Sequence, residues 1–183
     1  MKQIAKRNVR ILTMASSFYI IGLILGGLFN DILPGFSMES TQNMTVLDFF
    51  KHNYLANLFL IFTMFTFGIF TSVLLLMNGF LVSLSSFHSI ENGNDTLFIL
   101  TALLPHGLFE IPAMVLSGAL GFKLLDFVYM KVRGKHFSEK WFLIDALFFL
   151  VLISLLTILA AIVEALLTPF LLKKLLVGGP YVF

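Results

Sequence analysis

Long apolar runs alternate with short polar segments along this chain, and four of the runs are long enough to cross a bilayer at about 20 residues per crossing. They cover residues 11–29, 54–84, 96–122 and 141–172. The polar interruptions have different characters. Residues 31–53 carry acidic and amide side chains. Residues 85–95 end in the turn signal Glu91-Asn92-Gly93-Asn94-Asp95. A basic segment holds Lys123, Lys131, Arg133, Lys135 and Lys140. This pattern predicts an all-α fold: a polytopic transmembrane helical bundle of four to five membrane segments, forming a single integral membrane domain over residues 1–183.

Charge sets the expected orientation. Lys2, Lys6, Arg7 and Arg10 precede the first run, and basic flanks stay on the cytoplasmic side. No small-residue cleavage site follows that run, so it reads as a retained helix with a cytoplasmic N-terminus. Four plain crossings would then leave the second basic segment outside, against the same rule. A break at Pro105-His106-Gly107 would resolve this, with residues 97–104 as a re-entrant half-helix and a new helix starting near Phe109. Pro105 has no backbone N–H to donate, Gly107 is permissive, and Pro112 fits the first turn of the following helix. Broken helices at membrane depth occur where protein or a wet cavity surrounds them.

Composition agrees with a membrane protein. The 183 residues are 58% hydrophobic and 12% charged, with 22 phenylalanines, whereas soluble domains carry about a quarter charged residues. A net charge of +2 gives no reason to expect nucleic acid as a partner, and the absence of cysteine removes disulfides and thiolate metal sites.

Each run carries a stripe of small or polar residues at helical spacing. These are Gly22 and Gly26 in the first; Asn57, Gly68, Thr71 and Asn78 in the second; His106, Glu110, Ala113, Ser117 and Gly121 in the third; and Ser154, Thr157, Ala161, Glu164 and Thr168 in the last. Small residues let helices approach closely in lipid, so most of each stripe is a packing seam. His106, Glu110 and Glu164 ask for more. A charged side chain at the centre of a spanning helix costs about 2.5–3.5 kcal/mol on insertion scales, and intramembrane ionisable groups mark functional sites. Asn78 is equally consistent with interhelical glue and with a site role. His52, His88 and His136 fall in polar segments and read as solvated. Asp126 is at helical spacing from Lys123 and reads as its ion-pair partner near the interface. Trp141 and Tyr129 read as interfacial anchors, and Asp145 as near enough to a helix end to reach headgroups or water.

The run Leu104-Pro105-His106-Gly107-Leu108-Phe109-Glu110-Ile111-Pro112-Ala113 resembles the signature of the stage II sporulation protein M family. The glycine-bearing helix around Gly118 and Gly121, the pair Asn78-Gly79, and Ile162-Val163-Glu164-Ala165 are similar too, so the resemblance covers residues 57–168. Ser83 departs from it, standing where the family often has a further glycine. The resemblance implies a multi-pass protein of the bacterial cytoplasmic membrane. Its namesake is a scaffold-like partner of envelope-remodelling enzymes in engulfment. Other members accompany circular bacteriocins, often beside an ABC transporter.

Three chemical readings of His106, Glu110, Glu164 and Asn78 follow. In the first they form an intramembrane hydrolase or peptide transferase: a buried carboxylate acts as general base, a histidine shuttles protons and an asparagine amide supports an oxyanion. In the second, His106, Glu110 and Glu164 hold a divalent metal such as zinc; no other cofactor is expected. In the third the chain is a non-enzymatic component of an envelope complex. The partners expected are the lipid bilayer, membrane proteins such as an ABC transporter or envelope subunits, and a hydrophobic peptide substrate. No phosphate loop of the G-x-x-x-x-G-K-[ST] type is present, so a partner would supply any ATP-derived energy.

Overall fold

In a computed structural model of the chain, residues 2–33, 44–91, 93, 96–134 and 138–178 are described; the side chains of residues 98, 102, 104–106 and 175–178 lie outside the description. The described residues are almost all helical and contain no strand. Helix α1 spans Lys2–Phe29, α2 Val46–Phe62, α3 Ile69–Glu91, α4 Thr96–Pro105, α5 Ile111–Gly121, α6 Lys123–Val132, α7 Glu139–Ile162 and α8 Thr168–Gly178. The helices α1, α3 and the α7–α8 run are each long and apolar enough to cross a membrane.

The second apolar run is not one span. Helix α2 starts well before it, because Thr45 and Asp48 form a capping box: the Thr45 side chain accepts from the Asp48 N–H, and the Asp48 carboxylate accepts from the Thr45 N–H at 3.0 Å. Residues 46–53, expected in a polar loop, are therefore helical, His52 among them. At its other end α2 tightens into a 3₁₀ turn, Thr63–Thr66. The Thr63 hydroxyl donates to the Leu60 carbonyl at 2.6 Å, and the Thr66 hydroxyl donates to the Thr63 carbonyl at 2.7 Å. Phe67 and Gly68 then both take positive φ, 51° and 86°, which terminates the helix as a left-handed cap does. Gly68 meets a second demand, since a Cβ there would lie 2.6 Å from the Phe122 ring.

After this turn the chain climbs back as α3. Successive contacts fix its direction: Thr71 lies against Gly121, Leu75 against Gly118, Gly79 against the Tyr19 carbonyl, Phe80 against Gly22 and Gly26, and Phe87 against Gly27. Thus α3 runs parallel to α1, with α2 descending between them in sequence. A Cβ at Gly22 would collide with the Leu76 carbonyl, and one at Gly79 with the Tyr19 carbonyl. The G-x-x-x-G pair and Gly79 therefore face each other across one seam, where backbones touch because no side chain intervenes.

Helix α5 occupies the centre, packed against α1, α2, α3 and α7. It can do so because Ala113, Ser117, Gly118, Ala119 and Gly121 are small; all are buried. The interruption expected near Pro105 is present as a π turn, His106–Glu110, that joins α4 to α5 with no non-helical residue between. The segment widens by a π turn and does not reverse. Past Gly121 the axis bends by 41° into α6. A second π turn, Val163–Leu167, links α7 to α8.

With the second run split, α1 ascends, α2 descends, α3 ascends, α4–α5 descends and α7 ascends. Both basic segments then meet at one end of the bundle, and the charge conflict disappears without a re-entrant loop. Most large apolar side chains on the outer faces are exposed, among them Leu55, Phe59, Ile69, Leu143 and Leu155, as a lipid-facing surface requires. Replacing Gly79 by leucine should wedge α1 from α3 and cost about 2 kcal/mol or more, lowering the melting temperature in detergent by roughly 5 °C; an unchanged melting curve would mean that the seam is not close-packed.

Candidate functional site

Polar side chains inside the bundle gather at three levels. The first is the basic end. Asp145, one turn and a half into α7, is buried with 2% of its surface exposed. Its carboxylate takes two donors from Arg7, one of them Nε at 3.0 Å, and a third from Asn8 Nδ2 at 2.7 Å. The Lys123 ammonium, also buried, donates to Asn8 Oδ1. Asp126 pairs with Arg10 at 3.0 Å. The Arg7 and Arg10 guanidiniums each lie 4.4 Å from an aromatic centroid, Trp141 and Tyr129 respectively. Two expectations are corrected here. Asp145 does not reach headgroups, because three α1 donors fold over it. Asp126 finds its acid–base partner across the helix interface in Arg10, while Lys123 turns inward to Asn8.

The second level lies deeper. Ser117 donates to Asn57 Oδ1 at 2.9 Å, and Asn57 Nδ2 donates to the Thr157 hydroxyl at 3.3 Å. This ties α2, α5 and α7 together with side chains that are all buried. It matches the stripes read from the sequence, and here their role is interhelical glue.

The third level has different properties. A cavity of about 120 Å³ lies between α2 and α3, lined by Asn53, Asn57, Leu60, Leu74, Asn78 and Glu110, with Met114, Ala56 and Phe59 completing its walls. The two helices diverge here: α2 packs on α5 and α7, α3 on α1. Asn78 donates to the Leu74 carbonyl of its own helix at 2.8 Å. Asn53 is 7% exposed, and its Nδ2 is buried with no hydrogen-bond partner among the described residues; the same holds for the Tyr19 hydroxyl. Glu110 is close enough to act electrostatically on the Tyr19 phenol. A buried amide donor without an acceptor is costly, about 1–3 kcal/mol, so this cavity suits a polar guest.

The residues expected to form the site divide accordingly. Asn78 and Glu110 share the cavity. Glu164 is the second residue of the other π turn, half-buried, and the cavity walls do not include it. The His106–Glu110 turn packs against α7, which leads directly into the Glu164 turn. The His106 side chain lies outside the described residues. Among the described residues no three His, Asp or Glu side chains converge as a metal site would need. Asn53 and Tyr19 escaped the sequence reading. Asn53 and Asn57 are four apart and share a helix face, but only once α2 is seen to begin at Thr45.

The family comparison can now be set beside this geometry. The stage II sporulation protein M family matches residues 10–169. The chain belongs to the stage II sporulation protein M family. The match takes in the α1–α3 seam, both π turns and the cavity. An uncharacterised protein of Methanocaldococcus jannaschii is 37% identical over 118 residues, which is 61% of this chain and 64% of the relative, so the match spans less than two thirds of that protein's length. No solved structure matches the chain.

The basic-end cluster gives a direct test. Asp145→Leu strands Arg7 and Asn8 and should cost about 3 kcal/mol, whereas Arg7→Leu combined with Asp145→Leu should recover much of it. Denaturant titration in detergent measures both; a double variant no more stable than the single would show that the pair is not coupled.

Proposed function

We propose that this membrane protein handles a hydrophobic peptide inside the bilayer, and that the cavity between α2 and α3 is where a peptide group is held. The observation that carries the reading is the presence in one cavity of a carboxylate, Glu110, and a buried amide donor, Asn53 Nδ2, without a partner among the described residues. A peptide group needs both functions, an acceptor for its N–H and a donor for its carbonyl. The divergence of α2 and α3 gives lateral access from the lipid, past Phe59.

In the catalytic form of this reading, a water in the cavity gives its proton to Glu110 as its oxygen adds to the peptide carbonyl. Asn53 donates to the developing oxyanion, and Glu110 returns the proton to the leaving amine. Glu164 and His106, each in one of the two π turns, are the further acid–base groups of this reading, and π turns recur at functional sites. Maturation or export of a circular bacteriocin is the setting this suits, in the bacterial cytoplasmic membrane with the N-terminus inside and an ABC transporter as the energy-supplying partner. A structural role in an envelope complex is the second reading. It is favoured by the fully bonded Asn57–Ser117–Thr157 layer and the backbone-tight α1–α3 seam, which make the frame rigid.

Glu110→Gln separates the two, because it keeps shape and removes the base. In cells carrying this variant in place of the wild type, the secreted hydrophobic peptides should include one whose mature form falls at least tenfold, at equal membrane levels of the protein. An unchanged peptide profile would end the peptide reading and leave the structural one.

A further inference from the structure

The outer face of α1 at the basic end carries a groove of about 440 Å³, lined by Val9, Arg10, Thr13, Met14, Ser17 and Phe18. We propose that this groove is a binding site for one anionic phospholipid of the phosphatidylglycerol type. The proposal is independent of the peptide reading.

The charge is placed where the phosphate would be. Arg10 closes the groove, and its guanidinium stacks on the Tyr129 ring; Arg133 approaches the same ring at 5.6 Å. Two guanidiniums thus share one aromatic platform. Arg10 is shared with Asp126, while Arg133 is exposed and makes no ion pair with an acid of the described residues. Lys131 stands over Phe127 on the same helix. Basic pockets of this kind at helix ends hold anionic headgroups, since each surface cation contributes about 1 kcal/mol toward an anionic lipid.

The hydroxyls supply the second observation. Ser72, Ser86, Thr101, Ser154 and Thr157 each donate back to the carbonyl four residues earlier in their helix. That is the usual fate of a hydroxyl on a membrane helix. Thr13 and Ser17 are exposed on the groove and, like Ser16, Ser83 and Ser85, make no such bond among the described residues, so the Thr13 and Ser17 hydroxyls are presented to whatever fills the groove. Their spacing of four puts them on one face. At 1.5 Å rise per residue, Thr13 lies about 4.5 Å and Ser17 about 10.5 Å deeper than Arg10. Phosphate at Arg10 and Arg133, an ester carbonyl at Thr13, and an acyl chain over Met14, Ser17 and Phe18 is the order in which a phospholipid presents its groups.

The test is native mass spectrometry of the purified protein released from nanodiscs of equal phosphatidylglycerol and phosphatidylcholine. The wild type should retain phosphatidylglycerol at least fivefold over phosphatidylcholine. Arg133→Gln should lower that preference at least twofold, and Thr13→Trp with Ser17→Trp, both exposed positions that fill the groove, should remove it at an unchanged melting temperature. Equal retention of the two lipids, or full retention by the tryptophan variant, would overturn the proposal. Ser17→Cys in this cysteine-free chain tests the rival occupant: efficient disulfide dimerisation in membranes would show that a second copy, not a lipid, covers the face.

Discussion

Hydrocarbon offers no hydrogen-bonding partner, so each polar group carried into the bundle must find one in the protein or host a guest. That constraint arranges the whole structure. At the basic end it folds Arg7 and Asn8 over Asp145 and turns Lys123 inward to Asn8, which locks α1, α6 and α7 together. A level deeper it makes Asn57 the hub between Ser117 and Thr157. Beside Glu110 the matching is incomplete: Asn53, whose Nδ2 has no partner among the described residues, shares a cavity with that carboxylate.

Close approach is the other half of the design. Polar matching across helices demands that backbones come near, and the glycines of α1, α3 and α5 allow it. The α1–α3 seam holds two parallel helices in backbone contact, and small-residue α5 threads the centre. Helix α2 is then the outlier: tied to α5 and α7, it diverges from α3, and the gap between them becomes the cavity. The cavity thus lies where tight packing is withheld.

Much of this was legible in the sequence. The helical membrane architecture followed from the apolar runs, and the seams followed from the spacing of Gly22, Gly26, Ser117, Thr157 and Asn57. The family resemblance rested on residues 104–113 and stands with the match over residues 10–169. The turn at Phe67-Gly68 was hidden because phenylalanine flanks it, so hydropathy runs unbroken from residue 54 to 84; only the threonines and one glycine mark the reversal. The break expected at Pro105-His106-Gly107 is present as the π turn His106–Glu110; the charge conflict that suggests a re-entrant loop there has its cause in the turn at Phe67-Gly68. Asp145 was misplaced because distance from a helix end says nothing about which neighbour leans across it. Asn53 was missed because the capping box that starts α2 lies inside a stretch that reads as loop.

The account therefore rests on the reversal at Phe67-Gly68, which sets the direction of every later helix. Its most direct test is sidedness in the cysteine-free chain, with single cysteines at Phe65, Glu91 and Arg133 and a membrane-impermeant maleimide applied to oriented vesicles. Labelling of positions 65 and 133 from one face and of position 91 from the other is the expected result. Positions 91 and 133 labelling from the same face, with 65 shielded from both, would contradict it.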